Sequence, residues 1–185
     1  MKKSKQTYDL PIPDDDYKMA AVMENHKANF ESPNIWLYVG ADLNNPNFVK
    51  VGITMGDLST RSSSTTHPGY YLFCAFQCYH NTTVEELKQI EQGALNYLDS
   101  VFGQDKRARH TESQRLSECY LGINFEIFFA HLHAYLWDHH IRHFQTAEYV
   151  HDTNPDWVYG SALSWEFNPR VSYEDRKRYL ALIIQ

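Results

Sequence analysis

Two short apolar runs, IWLYVGA and FVKVGIT, each carry a polar group that a buried strand does not need: Tyr38 in the first, Lys50 in the second. Side chains alternate across a strand, so Trp36, Tyr38 and Gly40 share one face while Leu37 and Val39 take the other. In the second run Phe48, Lys50 and Gly52 lie opposite Val49, Val51 and Ile53. The aliphatic side belongs to a core, which leaves Tyr38 and Lys50 together on the remaining face, with Gly40 and Gly52 opening space beside them. A phenol with an ordinary pKa of about 10 is a weak base at neutral pH unless a cation such as Lys50 lowers it.

Glu91 is the second anomaly. In VEELKQIEQGALNYLDSVF the apolar stripe runs through Leu87, Ile90, Ala94, Leu98 and Val101, and Glu91 falls within it, away from Glu85, Lys88, Gln92 and Asp99. A carboxylate there costs roughly several kcal/mol unless it is paired or bound to a metal. Three readings stand at this point: a metal ligand, an ion pair with Arg61, or a residue at the edge of the stripe that reaches water.

The elements that must position these residues follow from turn and cap chemistry. Asp42, Asn44, Asn45, Pro46 and Asn47 join the two runs as a hairpin loop. LSTRSSSTTH is a poor helix by propensity, although Asp57 or Ser59 could cap a short one around Arg61. A third strand, YYLFCAFQCY, precedes a capping box at Thr83 and Glu86 that opens the long helix. Residues 103–116 read as a polar loop carrying Lys106, Arg107, Arg109 and Arg115. SECYLGI then reads as an edge strand, and NFEIFFAHLHAYLWDHHIRHF as an aromatic-rich helix of about six turns.

The flanks are less regular. Residues 1–13 read as an extended arm, and Asp14–Asp16 are expected to start a helix that turns Met19, Val22, Met23 and Phe30 toward the core. The tail from Thr146 to Pro169 reads as irregular, and Ser172 caps a last helix, YEDRKRYLALII. The expected fold class is α+β: a small antiparallel sheet with flanking helices over residues 34–145, an N-terminal arm and helix over 1–33, and a C-terminal extension over 146–185.

With 185 residues, 43% hydrophobic and 15% aromatic, the chain supports one good core and is not disordered. No run of apolar residues approaches a membrane span and no secretion signal opens the chain, so a cytoplasmic protein is expected. Cys74, Cys78 and Cys119 form no CxxC pair and read as small core residues. The net charge of −6 argues against a protein that coats nucleic acid indiscriminately, though not against one with a small positive groove.

The order LYVG, KVGIT, an arginine in the following short helix, a glutamate inside a long helix and then SECYLGINFEI resembles the GIY-YIG nuclease superfamily. The likeness is greatest to its phage-associated branch, in which the second motif reads KVG or KIG, and it spans roughly residues 34–130. VKVGIT is its most specific piece, and SECY stands where that branch tends to have Glu-Trp-Phe. The resemblance implies a GIY-YIG-like core. Tyr38 would be the tyrosine of the first motif, Lys50 and Gly52 the ends of the second, Arg61 the helix arginine, Glu91 the metal-binding glutamate, and Gly40 part of the active-site backbone. Trp36 stands where the first motif usually has glycine.

The implied activity is metal-dependent DNA cleavage, as an endonuclease or nickase of phage or mobile-element type with Mg²⁺ or Mn²⁺ at Glu91. Phosphodiester hydrolysis needs an aligned water, neutralisation of the phosphate and help for the leaving 3′ oxygen, and these residue types supply such functions. Arg61 would grip the phosphate, Tyr38 would orient the water or act as its base, and Lys50 would lower the Tyr38 pKa or bind phosphate itself. His67 is a minor candidate for a phosphate contact, and Lys106, Arg107, Arg109 and Arg115 are candidates for DNA backbone contacts.

The alternatives are a non-catalytic DNA-binding or protein-interaction module on the same fold, and a histidine-rich metal protein built on His139 and His143. The aromatic helix and tail either finish the core or form a homodimer interface.

Overall fold

The computed structural model describes residues 19–20, 23, 34–61, 68–150 and 159–185. Strands β1 (Trp36–Asp42) and β2 (Phe48–Thr54) form the expected hairpin, followed by a short 3₁₀ turn at Leu58–Arg61 and β3 (Tyr70–Gln77). Helix α1 (Val84–Phe102) leads to β4 (Arg107–Arg109) and β5 (Leu116–Leu121). Then come α2 (Phe125–His140), β6 (Thr146–Val150), β7 (Tyr159–Leu163), β8 (Trp165–Phe167) and α3 (Tyr173–Ile183). Six strands build one antiparallel sheet in the order β4-β5-β2-β1-β3-β8, and β6 pairs with β7 in a separate ribbon. The class is α+β.

Local chemistry sets the element ends. Asp42 accepts from the Asn44 N–H at 2.7 Å, and Asn45 from the Asn47 N–H at 3.1 Å, which closes the hairpin loop. The capping box of α1 is complete: Thr83 Oγ1 accepts from the Glu86 N–H, and the Glu86 carboxylate accepts from the Thr83 N–H. The Asn124 and Ser172 side chains cap α2 and α3 by accepting from the Ile127 and Asp175 N–H groups. Asp57 accepts from the Ser59 N–H at 2.8 Å, starting the turn that ends on Arg61.

One face of the sheet carries the main core. Leu37, Val39, Val49 and Val51 pack with Leu87, Ile90, Ala94 and Leu98 of α1 and with Phe128, Phe129, Leu132 and Leu136 of α2. Each of these side chains larger than Ala94 contributes roughly 1.5–3 kcal/mol of burial. Trp36, Tyr38, Leu72 and Ala75 form a smaller cluster on the opposite face, with Leu58 of the 3₁₀ turn against it. The expected division of the hairpin into an aliphatic side and a Tyr38 side is what the chain adopts.

A bulge in β3 changes which residues join each face. Val39 is opposite Cys74 and Gly40 is opposite Leu72, so Phe73 is the extra residue. Phe73 and Cys74 therefore both belong to the main core, and Tyr70, Leu72 and Ala75 all fall on the Tyr38 side. Phe73 joins four aromatic rings at 4.7–5.9 Å: Phe125, Phe129, Phe167 and Tyr179. The bulge thus ties β3 to α2, β8 and α3 in one device.

Several expectations need correction. SECYLGI is not an edge strand, because β4 pairs outside β5. The segment 103–116 is not all loop: Gln104–Lys106 is a 3₁₀ turn and Arg107–Arg109 is β4. The tail holds three strands, and β8 pairs with β3, so the C-terminal segment completes the same sheet. Helix α2 ends at His140 and tightens into a 3₁₀ turn over Ile141–His143. Phe128, Phe129, Leu132 and Leu136 lie in the core, while Ile127 is exposed.

Met19, Ala20 and Met23 are helical, but Met19 is 50% exposed and does not face the core. The rest of the N-terminal arm and helix, including Val22 and Phe30, lies outside the described residues, as does His67. Among the described residues no helix is long and apolar enough to cross a membrane.

Candidate active site

Tyr38 projects from β1 across its cross-strand partner Gly52, whose Cα lies under the hydroxyl end of the ring. Tyr70 projects from the start of β3 across Gly40 in the same way. A Cβ at either glycine would collide with the phenol above it, so each glycine is a seat for one ring. Lys50 pairs with Gly40 on one side and Cys119 on the other, and its ammonium lies 5.7 Å from the centre of the Tyr70 ring. Phe48 meets Tyr70 edge-on with centroids 6.5 Å apart.

Arg61 and Glu91 complete the group from two further elements. Tyr38 is 4% exposed, and burial raises its pKa against the pull of Lys50 and Arg61; Glu91 raises it a little further. Lowering the Tyr38 pKa was one of two roles expected of Lys50, and it does pull that pKa down, but desolvation outweighs the cations and the net shift is upward. Tyr70 is pushed well above the ordinary range by burial first and then by Tyr38. The two phenols face each other closely enough to act on one another, yet the buried Tyr70 hydroxyl has no hydrogen bond of ordinary geometry.

Glu91 sits partly buried, and its pKa is raised to about 7, by desolvation first and then by Glu118 of β5; Lys50, Arg107 and Lys88 oppose the rise. The ion pair with Arg61 considered above does not form among the described residues, and Lys50 is the cation that acts most on Glu91. Tyr38 of β1 is thus within electrostatic reach of Lys50 of β2, Arg61 of the 3₁₀ turn and Glu91 of α1. Gly40 and Gly52 lie between them.

Trp36 packs in the same small cluster as Leu58, and its indole N–H is buried without a partner. That contact seats the turn that carries Arg61. A cleft of about 780 Å³ lies on this face, lined by Asp42, Phe48, Gly69, Arg109, Cys119 and Leu121 among others.

The four basic candidates part company. Lys106, Arg109 and Arg115 are exposed, and Arg109 lines the cleft. Arg107 is 9% exposed and bonded inward: its guanidinium lies 3.0 Å from Asp99 and its Nε donates to the Ser117 carbonyl. The Tyr120 hydroxyl donates to the other Asp99 oxygen at 2.7 Å. Arg107 is thus a clamp of β4 and β5 onto α1, not a surface contact for DNA.

Sequence reading missed Tyr70, Glu118 and Cys119. The adjacent tyrosines of HPGYY were a visible signal, but only the bulge decides which of them faces Lys50. Glu118 was visible as a second carboxylate in SECY, but which helix faced it was not.

The histidine-rich helix is differently arranged. Tyr97 and Nδ1 of His131 share a hydrogen bond at 3.0 Å, Tyr135 and Nε2 of His140 share one at 3.2 Å, and Arg142 donates to His143. His133 is 0% exposed and accepts from the Leu163 N–H, and burial lowers its pKa to about 4. Among the described residues no group of three or more His, Cys, Asp or Glu side chains is placed to hold a metal ion.

No protein-family model, no curated protein and no solved structure matches the chain.

Proposed function

We propose that the chain is a metal-dependent DNA endonuclease or nickase on a GIY-YIG-like core, of phage or mobile-element type. The observation that supports this is the meeting of a phenol, an ammonium, a guanidinium and a desolvated carboxylate at Tyr38, Lys50, Arg61 and Glu91. Hydrolysis adds water across the P–O3′ bond: the hydroxide part goes to phosphorus, and a proton ends on the 3′ oxygen. Arg61, exposed at the end of its turn, grips the phosphate, and Lys50 neutralises charge developing on its oxygens.

Tyr38 orients the attacking water and receives its proton. Burial keeps Tyr38 mostly protonated at neutral pH, so the phenolate is a minor but strong base, and cleavage rises as pH increases above 7. The charge conflict between Glu91 and Glu118 fits a divalent cation, and two carboxylates suit Mg²⁺, which keeps most of its waters. When bound, such an ion supplies charge neutralisation at the phosphate and the leaving oxygen. Arg109 on the cleft wall, with Lys106 and Arg115 exposed beyond it, is suited to the DNA backbone.

The test is conversion of supercoiled plasmid to open circles or linear DNA in Mg²⁺ or Mn²⁺, with Glu91→Gln and EDTA as controls. Cleavage by the wild type alone supports the proposal, and Tyr38→Phe is expected to slow it by about a hundredfold or more. No cleavage under either metal, with equal DNA binding by both proteins, sinks it in favour of a binding module.

A further inference from the structure

A second concavity lies on the Tyr38 face, toward the β8 edge of the sheet, and the proposed chemistry leaves it unused. Its volume is about 490 Å³, within the roughly 300–1,000 Å³ of small-ligand sites. Leu72 of β3, Leu58 of the 3₁₀ turn and Pro169 of the loop before α3 give it apolar walls. Glu166 of β8 lines it as well. Glu166 pairs with Ala75, a member of the Tyr38-side cluster, so its carboxylate stands on this face. It is exposed, and among the described residues no hydrogen bond or ion pair holds it. Asp57, the other acid of the lining, already accepts from the Ser59 N–H at 2.8 Å.

Position and lining together identify the occupant. The turn whose Leu58 and Ser59 wall the pocket ends at Arg61, the residue assigned to the phosphate. A nucleobase hangs one sugar from its phosphate, so a phosphate gripped by Arg61 brings a base to this opening. Aliphatic walls suit the flat faces of a base, and an unpaired carboxylate suits its polar edge while repelling a second phosphate. Building on the proposed function, we infer that this pocket is a specificity subsite for one unstacked nucleobase beside the scissile phosphate, and that Glu166 selects a base carrying an amino group. The carboxylate accepts from the exocyclic amine of cytosine, adenine or guanine, whereas the single ring N–H of thymine lies between two carbonyl oxygens that repel it. Arg170, exposed in the same lining, is suited to the neighbouring phosphate. A base stacked within a duplex cannot enter, so the target nucleotide leaves its stack or is already single-stranded.

The test needs neither metal nor cleavage. The four deoxynucleoside 5′-monophosphates and inorganic phosphate are titrated in EDTA while NMR follows the methyl groups of Leu58 and Leu72. The adenine, cytosine and guanine nucleotides are expected to shift both residues, the thymine nucleotide to bind roughly tenfold more weakly, and phosphate alone to leave them in place. Glu166→Gln should bring thymine to within about twofold of the others, because an amide both donates and accepts. Glu85→Gln, the same change of charge on an exposed position of α1, leaves the preference intact. Ser59→Trp, which fills the pocket from the exposed side of the turn, should abolish the shifts. Silent methyl groups, equal binding of all four bases, or a preference that survives Glu166→Gln in a protein of unchanged melting temperature overturns the inference. An uncut plasmid with bound amino bases removes the nuclease reading and keeps the pocket; a cut plasmid with silent methyl groups does the reverse.

Discussion

Two clusters of aromatic and ionisable groups lie on this molecule, and they differ in satisfaction rather than in composition. Along the outer side of α2, Tyr97 bonds His131, Tyr135 bonds His140, and Tyr97 stacks on Tyr135 at 4.9 Å. Burial first, and then His143, His139 and Arg142, lower the His140 pKa from its ordinary value. On the Tyr38 face, Tyr70 and Trp36 hold buried donors with no partner, and Glu91 is desolvated opposite a second carboxylate. Polar groups already paired have little to offer a ligand. Those left unpaired at a cost to folding are the ones that a substrate or an ion would relieve.

The sharpest way to break this contrast is to remove one group from each cluster. Glu91→Gln should reduce plasmid cleavage by roughly a thousandfold, whereas His140→Ala should leave the rate within about twofold. Equal losses in the two variants would erase the distinction.

A satisfied buried pair supplies the next test, because its removal should damage the fold rather than the chemistry. Asp99→Ala strands the Arg107 guanidinium and should cost about 3–5 kcal/mol in urea unfolding. Lys106→Ala should leave stability unchanged and only weaken DNA binding. Gly52→Ala comes third: its new methyl group meets the Tyr38 ring, at about 1–3 kcal/mol of thermal stability. Tyr38→Ala in the same chain should recover part of that loss, since it removes the atoms that collide.

The pH dependence of stability gives a fourth. Glu91 binds a proton more tightly in the folded chain than in the unfolded one, with a pKa of about 7 against a reference of 4.5. Stability from this group is present below about pH 4.5 and is lost as pH rises toward 7, amounting to on the order of 2 kcal/mol without metal. Glu91→Gln should therefore match the wild type in acid and exceed it at pH 8. Added Mg²⁺ should close that gap by stabilising the wild type alone. The smallest effect belongs to Tyr135→Phe, which loses one partly exposed hydrogen bond and should cost about 1 kcal/mol or less with no change in cleavage.

Much of the Tyr38 face was legible in the sequence because a strand has a fixed period of two. The placement of Tyr38, Lys50, Gly40 and Gly52 needed only that alternation, and Glu91 stood out against a helical stripe. The capping box at Thr83 and Glu86 was equally local. What failed to show was every feature set by distant pairing. Arg107 read as loop because its meeting with Asp99, only eight positions earlier in the last turn of α1, depends on the chain folding back there and on the pairing of β4 with β5. The strands of the tail have no clear alternation of their own and are fixed by partners elsewhere. Tyr70 was hidden because alternation carried through β3 without a slip assigns the outer face to Tyr71.

That slip makes β3 sensitive to length in a way that composition does not reveal. Losing Phe73 alone would straighten the strand and leave Tyr70 opposite Asp42 and Leu72 opposite Gly40, as they are now. The cost would fall on the aromatic cluster that Phe73 anchors. Losing Tyr71 instead, two positions earlier, would preserve the bulge and turn Tyr70 from Lys50 toward the helices. Two single-codon deletions so close together should therefore have opposite signatures, one weakening the fold and sparing the phenol pair, the other sparing most of the core and dismantling the pair.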